Sequence, residues 1–282
     1  MPSLIRDNLG KIIITLIIGL LAPPSLSGLY QEHMKQEEFK SQIEESLQKA
    51  DFLQNAQKFN ESIDLCRKLS DTIPPSKYPL EYSKVQEKLG DALRSLSSIR
   101  DKDSNIREAI FAYENSLKVY TINDFPIEYA NIQNKIGRSY TILSSVRETE
   151  TNLNRGFEAH QNALKIFKDG NHPVQYALTL RYIGTSYLSL SDVRDSEANL
   201  NRAIHAFQES LKTVTIKNDP VEYANIQTNL GISYTRLSGI SKNETSLNKS
   251  IQAYQEALKI FTLEMHPDDY GRIQSNIGEA YQ

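Results

Sequence analysis

One interval of 47 residues separates consecutive copies of a proline, a tyrosine and a glycine along this chain. The prolines are Pro79, Pro126, Pro173, Pro220 and Pro267. A tyrosine follows each proline by three residues and a glycine follows it by eleven, from Tyr82 and Gly90 to Tyr270 and Gly278. A recurrence of this length and register is typical of arrays whose repeats pack on their neighbours. The sequence therefore predicts stacked repeats instead of one central core.

The first half of each repeat has the pattern of an amphipathic helix that begins at the proline. Proline suits the first helical position because its missing N–H would have no helical partner there. In the second copy, apolar residues recur at intervals of three and four, which marks one face of a helix: Tyr129, Ile132, Ile136, Tyr140 and Leu143. The recurring glycine lies in mid-helix, where it costs about 1 kcal/mol relative to alanine. We expect close approach of a paired helix to explain it.

The second half of each repeat predicts another helix, paired with the first. A residue typical of helix N-caps recurs before it, at Asn105, Asn152, Asn199 and Ser246, so the helix is predicted to start there. A small residue recurs inside it, at Ala109, Gly156, Ala203 and Ser250, and a large ring follows four residues later, at Tyr113, His160, Phe207 and Tyr254. A small residue beside a large ring lets two helices interdigitate.

These two helices resemble the tetratricopeptide repeat, a helix-turn-helix unit of about 34 residues. The family's aliphatic-Gly-x-x-Tyr element is similar to residues 136–140, 183–187 and 230–234, and its small-x3-aromatic-x2-small element to residues 109–116 and 250–257. The resemblance covers about residues 37–282. This chain departs from the family in lacking tryptophan and in having repeats about 13 residues longer. The resemblance implies an all-α, right-handed α-solenoid.

The register divides the chain into three parts. Residues 1–29 form an N-terminal membrane anchor or signal segment, residues 30–78 a first compact helical hairpin, and residues 79–282 four long repeats plus the lone first helix of a fifth. In the compact hairpin, an amphipathic helix is predicted from Phe39, Ile43, Leu47 and Ala50. The lone helix from Pro267 keeps the apolar pattern that elsewhere faces a partner helix, although the end of a stack should be polar.

The N-terminal segment predicts contact with a membrane. An apolar run from Ile12 to Ala22 suits a signal-peptide core, with a possible cut at Gly28. Extended over residues 12–29, the segment would span about 27 Å as a helix, close to the thickness of a bilayer core. We expect a single-pass N-terminal anchor, with export after signal cleavage as the alternative. The lysines and arginines on its two sides do not settle its orientation.

Composition argues against several classes of function. A net charge of -3 gives no electrostatic reason to expect nucleic acid as a partner. The single cysteine, Cys66, excludes an intrachain disulfide and a multi-cysteine metal site. The five histidines show no metal-ligand spacing, and no phosphate-binding loop is visible. We therefore expect a protein that is not an enzyme and holds no cofactor or metal.

The resemblance implies a binding surface on the concave side, lined by the first helix of each repeat. Residues three before, two before, one after and four after the glycine would point there, and these columns vary between copies. Ordinary drift of solvated positions would give the same variation. The candidate peptide-binding residues are Arg94, Asn134, Lys135, Arg138, Arg181 and Asn229. Arginine, lysine and amide side chains in this arrangement favour an acidic or carboxylate-ended peptide.

Three functions are consistent with these features of the sequence. The first is a noncatalytic, membrane-tethered scaffold that binds a protein segment in its groove. The second is the sensory or regulatory portion of a larger signalling protein or enzyme whose effector domain lies beyond Gln282. The third is self-association through the exposed C-terminal helix. The sequence names neither the ligand nor the pathway.

Overall fold

The computed structural model describes residues 24–242 and 244–281, and every regular element in these ranges is an α-helix. The prediction of an all-α fold is confirmed. In chain order the helices are α1 (Pro24–Asn55), α2 (Phe59–Thr72), α3 (Pro79–Leu96), α4 (Lys102–Ser116), α5 (Pro126–Leu143), α6 (Thr149–Asp169), α7 (Pro173–Leu190), α8 (Ser196–Ser210), α9 (Pro220–Ser241), α10 (Glu244–Leu258) and α11 (Pro267–Ala280).

The predicted apolar run over residues 12–22 lies outside the described residues. The described part of the predicted anchor segment, residues 24–29, belongs to α1, which continues to Asn55. Within residues 24–242 and 244–281, no helix combines the length and the apolar character needed to cross a bilayer.

The chain forms two compact units that divide after Lys88, within α3. In the first unit, Ile43, Leu47 and Ala50 of α1 are no more than 4% exposed, so the predicted apolar face is confirmed. The Ser62 hydroxyl of α2 donates a hydrogen bond to the Ala50 carbonyl at 3.2 Å, which fixes the crossing of the two helices.

In the second unit, helices pack in chain order. The first helix of each repeat contacts the second helix of the same repeat, as in α5 with α6, α7 with α8 and α9 with α10. Each second helix also contacts the first helix of the next repeat, as in α6 with α7 and α8 with α9. Apolar residues of neighbouring helices pack together, as Leu200 and Phe207 of α8 do with Ile226 of α9 in one cluster of buried residues.

The predicted helix starts at the five repeat prolines are confirmed, because α3, α5, α7, α9 and α11 all begin there. The residue before the proline differs between copies, and its side chain caps the helix in α9, where Asp219 Oδ1 accepts from the Glu222 backbone N–H at 3.1 Å. The other described N-caps at these prolines, Phe125, His172 and His266, make no such side-chain bond. The proline is therefore the constant signal of the start.

The predicted starts of the second helices were wrong by about one turn. The helices begin three residues before the asparagines, after an N-cap in the left-handed conformation: Asp101 (φ 48°), Glu148 (φ 44°) and Asp195 (φ 45°). The asparagine side chains instead donate backward to a carbonyl five residues earlier, as Asn152 does to Arg147 at 2.8 Å and Asn199 to Arg194 at 2.8 Å. The asparagines thus close the preceding turn and do not cap the helix.

The packing reason expected for the mid-helix glycines is confirmed. A Cβ added to Gly90, Gly137, Gly184 or Gly231 would lie 2.4 to 2.6 Å from the ring of Tyr113, His160, Phe207 or Tyr254, respectively. These rings are no more than 1% exposed. Each glycine is therefore the floor of a slot, called here the glycine slot, that holds the ring four residues after the small residue of the second helix.

The glycine slot predicts opposite effects for one substitution at two positions in register. Gly184→Ala should destabilise the protein by about 1–3 kcal/mol, because its Cβ would overlap the buried Phe207 ring. Gly278→Ala should stabilise it by up to about 1 kcal/mol, because nothing lies within 4 Å of the added Cβ and alanine is the better helix former. Urea unfolding of the two variants measures both. Equal effects at the two positions would contradict the slot.

Candidate binding site

The first helices α5 and α7 form a cavity of about 220 Å³, called here the Tyr182 pocket. It is lined by Arg138, Thr141, Ile142, His160, Arg181, Tyr182 and Thr185. Five of these residues occupy columns that the sequence assigned to the binding surface. The pocket lies between two consecutive repeats, because its lining residues belong to α5 and α6 of one repeat and to α7 of the next.

The Tyr182 ring contacts two guanidinium groups. The Arg138 guanidinium carbon is 4.9 Å from the ring centroid, and that of Arg181 is 4.4 Å from it. On another side the ring stacks on His160, with 5.4 Å between centroids and 23° between planes. Contact with a cation on the face of an aromatic ring is attractive and holds both groups in place.

The two arginines differ in their anionic partners. Arg181 is ion-paired with Glu222, at the start of α9, and both side chains are largely buried. The Arg138 guanidinium donates from Nη1 to the Tyr182 hydroxyl at 3.5 Å, and no carboxylate of the described residues pairs with it. Arg138 is therefore a half-buried cation whose charge no described carboxylate compensates.

Burial lowers the pKa of the Arg138 guanidinium, and the positive charges of Arg94 and Arg181 lower it further. Arginine nevertheless stays charged in proteins, because its pKa starts so high. The electrostatic effect of its neighbours shows that cations of three consecutive repeats lie close together. Such a cluster is stabilised when an anion enters it.

A second group of charges lies one repeat earlier, around Asp91. This carboxylate accepts from the Tyr113 hydroxyl at 2.8 Å and pairs with Lys135 at 2.6 Å. Burial raises the pKa of Tyr113 well above its usual value, and the Asp91 charge adds to the rise, so the hydroxyl stays protonated. Burial lowers the pKa of the Arg94 guanidinium, but its interactions with Tyr113 and Asp91 outweigh burial and raise it.

The balance of these charges is positive. The cations Arg94, Lys135, Arg138 and Arg181 face the two carboxylates Asp91 and Glu222, which leaves two positive charges in excess within this group. The excess is local, because the chain as a whole carries -3. A positive, partly buried cluster on a weakly acidic chain favours an anionic ligand.

Behind the pocket, a chain of hydrogen bonds joins three helices. Asn134 Nδ2 donates to Thr179 Oγ1 at 2.7 Å, so Asn134 Oδ1 is the acceptor for His160 Nδ1 at 3.1 Å. The proton of neutral His160 is therefore on Nδ1. Burial lowers the pKa of His160 to about 3, and the charges of Arg138 and Arg181 contribute, so the ring is neutral near pH 7.

The structure separates the six candidate residues. Arg138 and Arg181 lie together in the Tyr182 pocket, and Arg94 and Lys135 belong to the neighbouring charge group. Asn134 is buried at 7% exposure with both ends of its amide bonded inside the protein, so it positions His160 and is not presented to a ligand. Asn229 is half-buried in α9 and does not line the pocket.

Sequence reasoning placed Tyr182 in a binding-surface column but not among the six candidate residues, and it missed Glu222 as part of the site. The equivalents of Tyr182 in the other repeats are the polar residues Lys88, Lys135 and Asn229. An aromatic residue in this polar column is the feature of the sequence that could have pointed to Tyr182. Glu222 lies two residues after Pro220, where a carboxylate also suits the positive end of a helix. Its pairing with Arg181 depends on the stacking of α9 on α7, which no local pattern shows.

In residues 24–242 and 244–281, no three histidine, cysteine, aspartate or glutamate side chains are grouped as a metal ion would require. The polar groups of the pocket are two arginines, two threonines, a tyrosine and a neutral histidine. The Thr141 and Thr185 hydroxyls donate to backbone carbonyls of their own helices, at 3.0 and 3.1 Å. Both threonine protons and the His160 proton are thus used inside the protein, and the guanidinium groups of Arg138 and Arg181 are what the pocket offers to an anion.

No family model matches the chain, and no curated protein matches it. Among solved structures, it is similar to the crystal structure of BtubC (BKLC) from P. vanneervenii, at 18% identity over 77% of this chain and 90% of that chain, with a TM-score of 0.41. It is also similar to a computationally designed self-assembling cyclic homooligomer, at 16% identity over 96% of this chain and 94% of that chain, with a TM-score of 0.23. Both TM-scores are too low to support an argument on fold or function.

Replacing His160 by phenylalanine tests the hydrogen-bond chain. Phe207 occupies the equivalent slot one repeat later, so the ring should fit, but Asn134 Oδ1 would lose its donor while buried. We expect His160→Phe to cost about 1–3 kcal/mol in urea unfolding. Adding Asn134→Thr should recover most of the loss, because Thr228 in the same column satisfies itself through the Ala224 carbonyl at 2.8 Å. No loss in the single variant would contradict this role of the bond.

His160 also predicts a pH dependence of stability. The unfolded chain protonates this histidine below about pH 6.5, whereas the folded protein does so at about pH 3. The unfolded state thus binds more protons between these values, and stability falls as the pH falls. From pH 7 to pH 5 the contribution is about 2 kcal/mol. Urea unfolding at both pH values should show this component in the wild type and not in the variant combining His160→Phe with Asn134→Thr.

Proposed function

We propose that this chain is a noncatalytic scaffold of the tetratricopeptide type, an α-solenoid that binds a segment of a partner protein along its first helices. The observation that carries the proposal is the Arg138 guanidinium, half-buried beside Arg94 and Arg181 and without a carboxylate partner among the described residues. The proposed ligand group is a carboxylate, either a side chain or a chain terminus. The membrane anchor expected over residues 12–29 would tether the scaffold.

The size of the Tyr182 pocket supports a small ligand group. Its volume of about 220 Å³ is below the roughly 300–1,000 Å³ of typical small-molecule sites. One acidic side chain or one terminal carboxylate therefore suits it better than a cofactor does. The rest of a bound peptide would lie along the neighbouring first helices, where Lys135 and Asn229 offer further polar groups.

The fixed positions of the cations support useful affinity. Arg181 is held by Glu222 and by the Tyr182 ring, and Arg138 contacts the same ring and its hydroxyl. Side chains that are already ordered lose little entropy on binding. A planar guanidinium can also bind a carboxylate through two parallel hydrogen bonds, which lysine cannot do.

Arg138→Gln is the sharpest test of this proposal. The probe is an array of octapeptides that end in a free carboxylate and carry Asp or Glu at the last two positions, with matched peptides that have Asn, Gln and a C-terminal amide. The full-length chain should bind the acidic set preferentially. Arg138→Gln should weaken that binding at least about tenfold, because a charge-assisted bond contributes roughly 1.5–3 kcal/mol.

Arg236→Gln is the matched control. Arg236 pairs with Asp192 at 2.6 Å outside the pocket, and its side chain is 41% exposed, so its loss should leave peptide binding unchanged. Arg181→Gln is a poorer test, because it would leave Glu222 buried without its partner. Equal binding of acidic and amide peptides, or equal losses in Arg138→Gln and Arg236→Gln, would refute the assignment.

A further inference from the structure

Another cavity, an open groove of about 400 Å³, is formed by residues of α6, α7 and α8, and we call it the Leu180 groove. Its α7 residues are Tyr176, Leu180, Ile183 and Tyr187, whose spacing of three and four places them in one row along the helix. The row is about 16 Å long, from the helical rise per residue. The volume of the groove lies within the range of typical small-molecule sites, roughly 300–1,000 Å³.

Leu180 distinguishes this groove from the equivalent surfaces of the other repeats. The other copies carry glutamine in its column, at Gln86, Gln133, Gln227 and Gln274. In the next repeat, Gln227 is 9% exposed and hydrogen-bonded to Tyr223. The Tyr223 hydroxyl also donates to Glu256 Oε2 at 3.1 Å. Polar side chains of that repeat therefore bond to one another, whereas Leu180 leaves an apolar surface in the middle of the row.

The polar groups that line the Leu180 groove are not used in the same way. In the next repeat, Gln208 Nε2 donates to the Tyr234 hydroxyl at 3.0 Å. No such bond joins their equivalents Gln161 and Tyr187, although both line the groove. The hydroxyl of Tyr176, the equivalent of Tyr223, has no hydrogen-bond partner among the described residues. These groups can therefore bond to a ligand without breaking a bond inside the protein.

The charge of the groove lies near one end of the row. The Arg202 guanidinium carbon is 5.8 Å from the centroid of the Tyr187 ring. Nη1 of Arg202 donates to Asn199 Oδ1 at 3.1 Å, and no carboxylate of the described residues pairs with this arginine. Glu209 lies about 10 Å further along α8 and is paired with Lys212 at 2.7 Å. The end of the groove at Tyr187 therefore favours an anionic group.

We propose that the Leu180 groove binds a straight-chain carboxylic acid of medium length. Its alkyl chain would lie along the row, over Leu180 and Ile183, and its carboxylate would contact Arg202 and the Tyr187 hydroxyl. A straight apolar surface with a cation at one end matches a straight apolar chain with an anion at one end. The inference is independent of the proposed peptide site, because Arg138 does not line this groove.

The probe is sodium decanoate at neutral pH, below the concentration at which it forms micelles. Isothermal titration calorimetry of the full-length chain should show saturable binding of one decanoate per chain. Sodium hexanoate should bind at least about tenfold more weakly, because it buries fewer methylene groups.

Leu180→Gln tests the apolar part of the groove. Four other repeats carry glutamine in this column, so the fold should accept the substitution. The amide should bond to Tyr176, as Gln227 does to Tyr223, and the alkyl chain would then cover a polar group. Decanoate binding should weaken at least about tenfold. The difference between this variant and the wild type isolates the groove from any other uptake of the acid by the chain.

Arg202→Gln tests the charged end. Arg202 is exposed, so its loss should leave the fold intact and weaken decanoate binding about fivefold, as for a solvent-exposed ion pair. Arg155→Gln is the matched control, since Arg155 is the equivalent exposed residue of the preceding repeat and lies 5.8 Å from the Tyr140 ring. It should leave binding unchanged. Arg138→Gln should also leave it unchanged, which separates the groove from the proposed peptide site.

Four calorimetric outcomes would overturn the proposal. They are no saturable binding of decanoate, equal affinity for decanoate and hexanoate, equal affinity of the Leu180→Gln and wild-type proteins, and equal affinity of the Arg202→Gln and Arg155→Gln proteins. Analytical ultracentrifugation adds a fifth: a wild-type dimer that Leu180→Gln dissociates would mean that a second copy, and not a carboxylic acid, covers the groove.

Discussion

The seating of a ring on a mid-helix glycine is the contact on which the second compact unit depends. It sets the distance between the first and second helices of a repeat, because the ring contacts the glycine backbone in the space that any side chain would fill. The ring is His160 at Gly137 and Phe207 at Gly184, so the type of ring can change while the close contact is kept. The same contact recurs in the four repeats that begin at Pro79, Pro126, Pro173 and Pro220, so their two helices are packed in the same way.

The first helices of consecutive repeats contact each other. Polar residues in these helices and just after them therefore bond across repeats, at a nearly constant separation in sequence. Asp91 pairs with Lys135, Arg138 meets Tyr182, and Asp192 pairs with Arg236, each 44 residues apart. Asn134 and Thr179 are 45 residues apart. These bonds use columns whose residues vary between copies, as Asp91, Arg138 and Thr185 do, although the helices that carry them are alike.

The Tyr182 pocket arises where this variation leaves charges unbalanced. Asp91 compensates Lys135 and Glu222 compensates Arg181, but Arg138 has no described carboxylate partner. In the same place the aromatic column carries His160, which burial and the adjacent arginines keep neutral. A neutral ring with a fixed proton position adds no further positive charge to the cluster, so Arg138 can remain charged at moderate cost.

The sequence by itself determined the repeats, the five proline starts and the pairing of each glycine with a close helix, because these depend on local residue types recurring in phase. It failed at the asparagines, whose side chains bond backward and not forward, since both choices suit the same residue. It placed Arg138 and Arg181 on one surface but could not distinguish them from Asn134, which is buried. Only the tertiary structure decided which cations have partners, because the contacts of Arg181 with Glu222 and of Arg138 with Tyr182 join helices that are distant in sequence and meet only when the repeats pack.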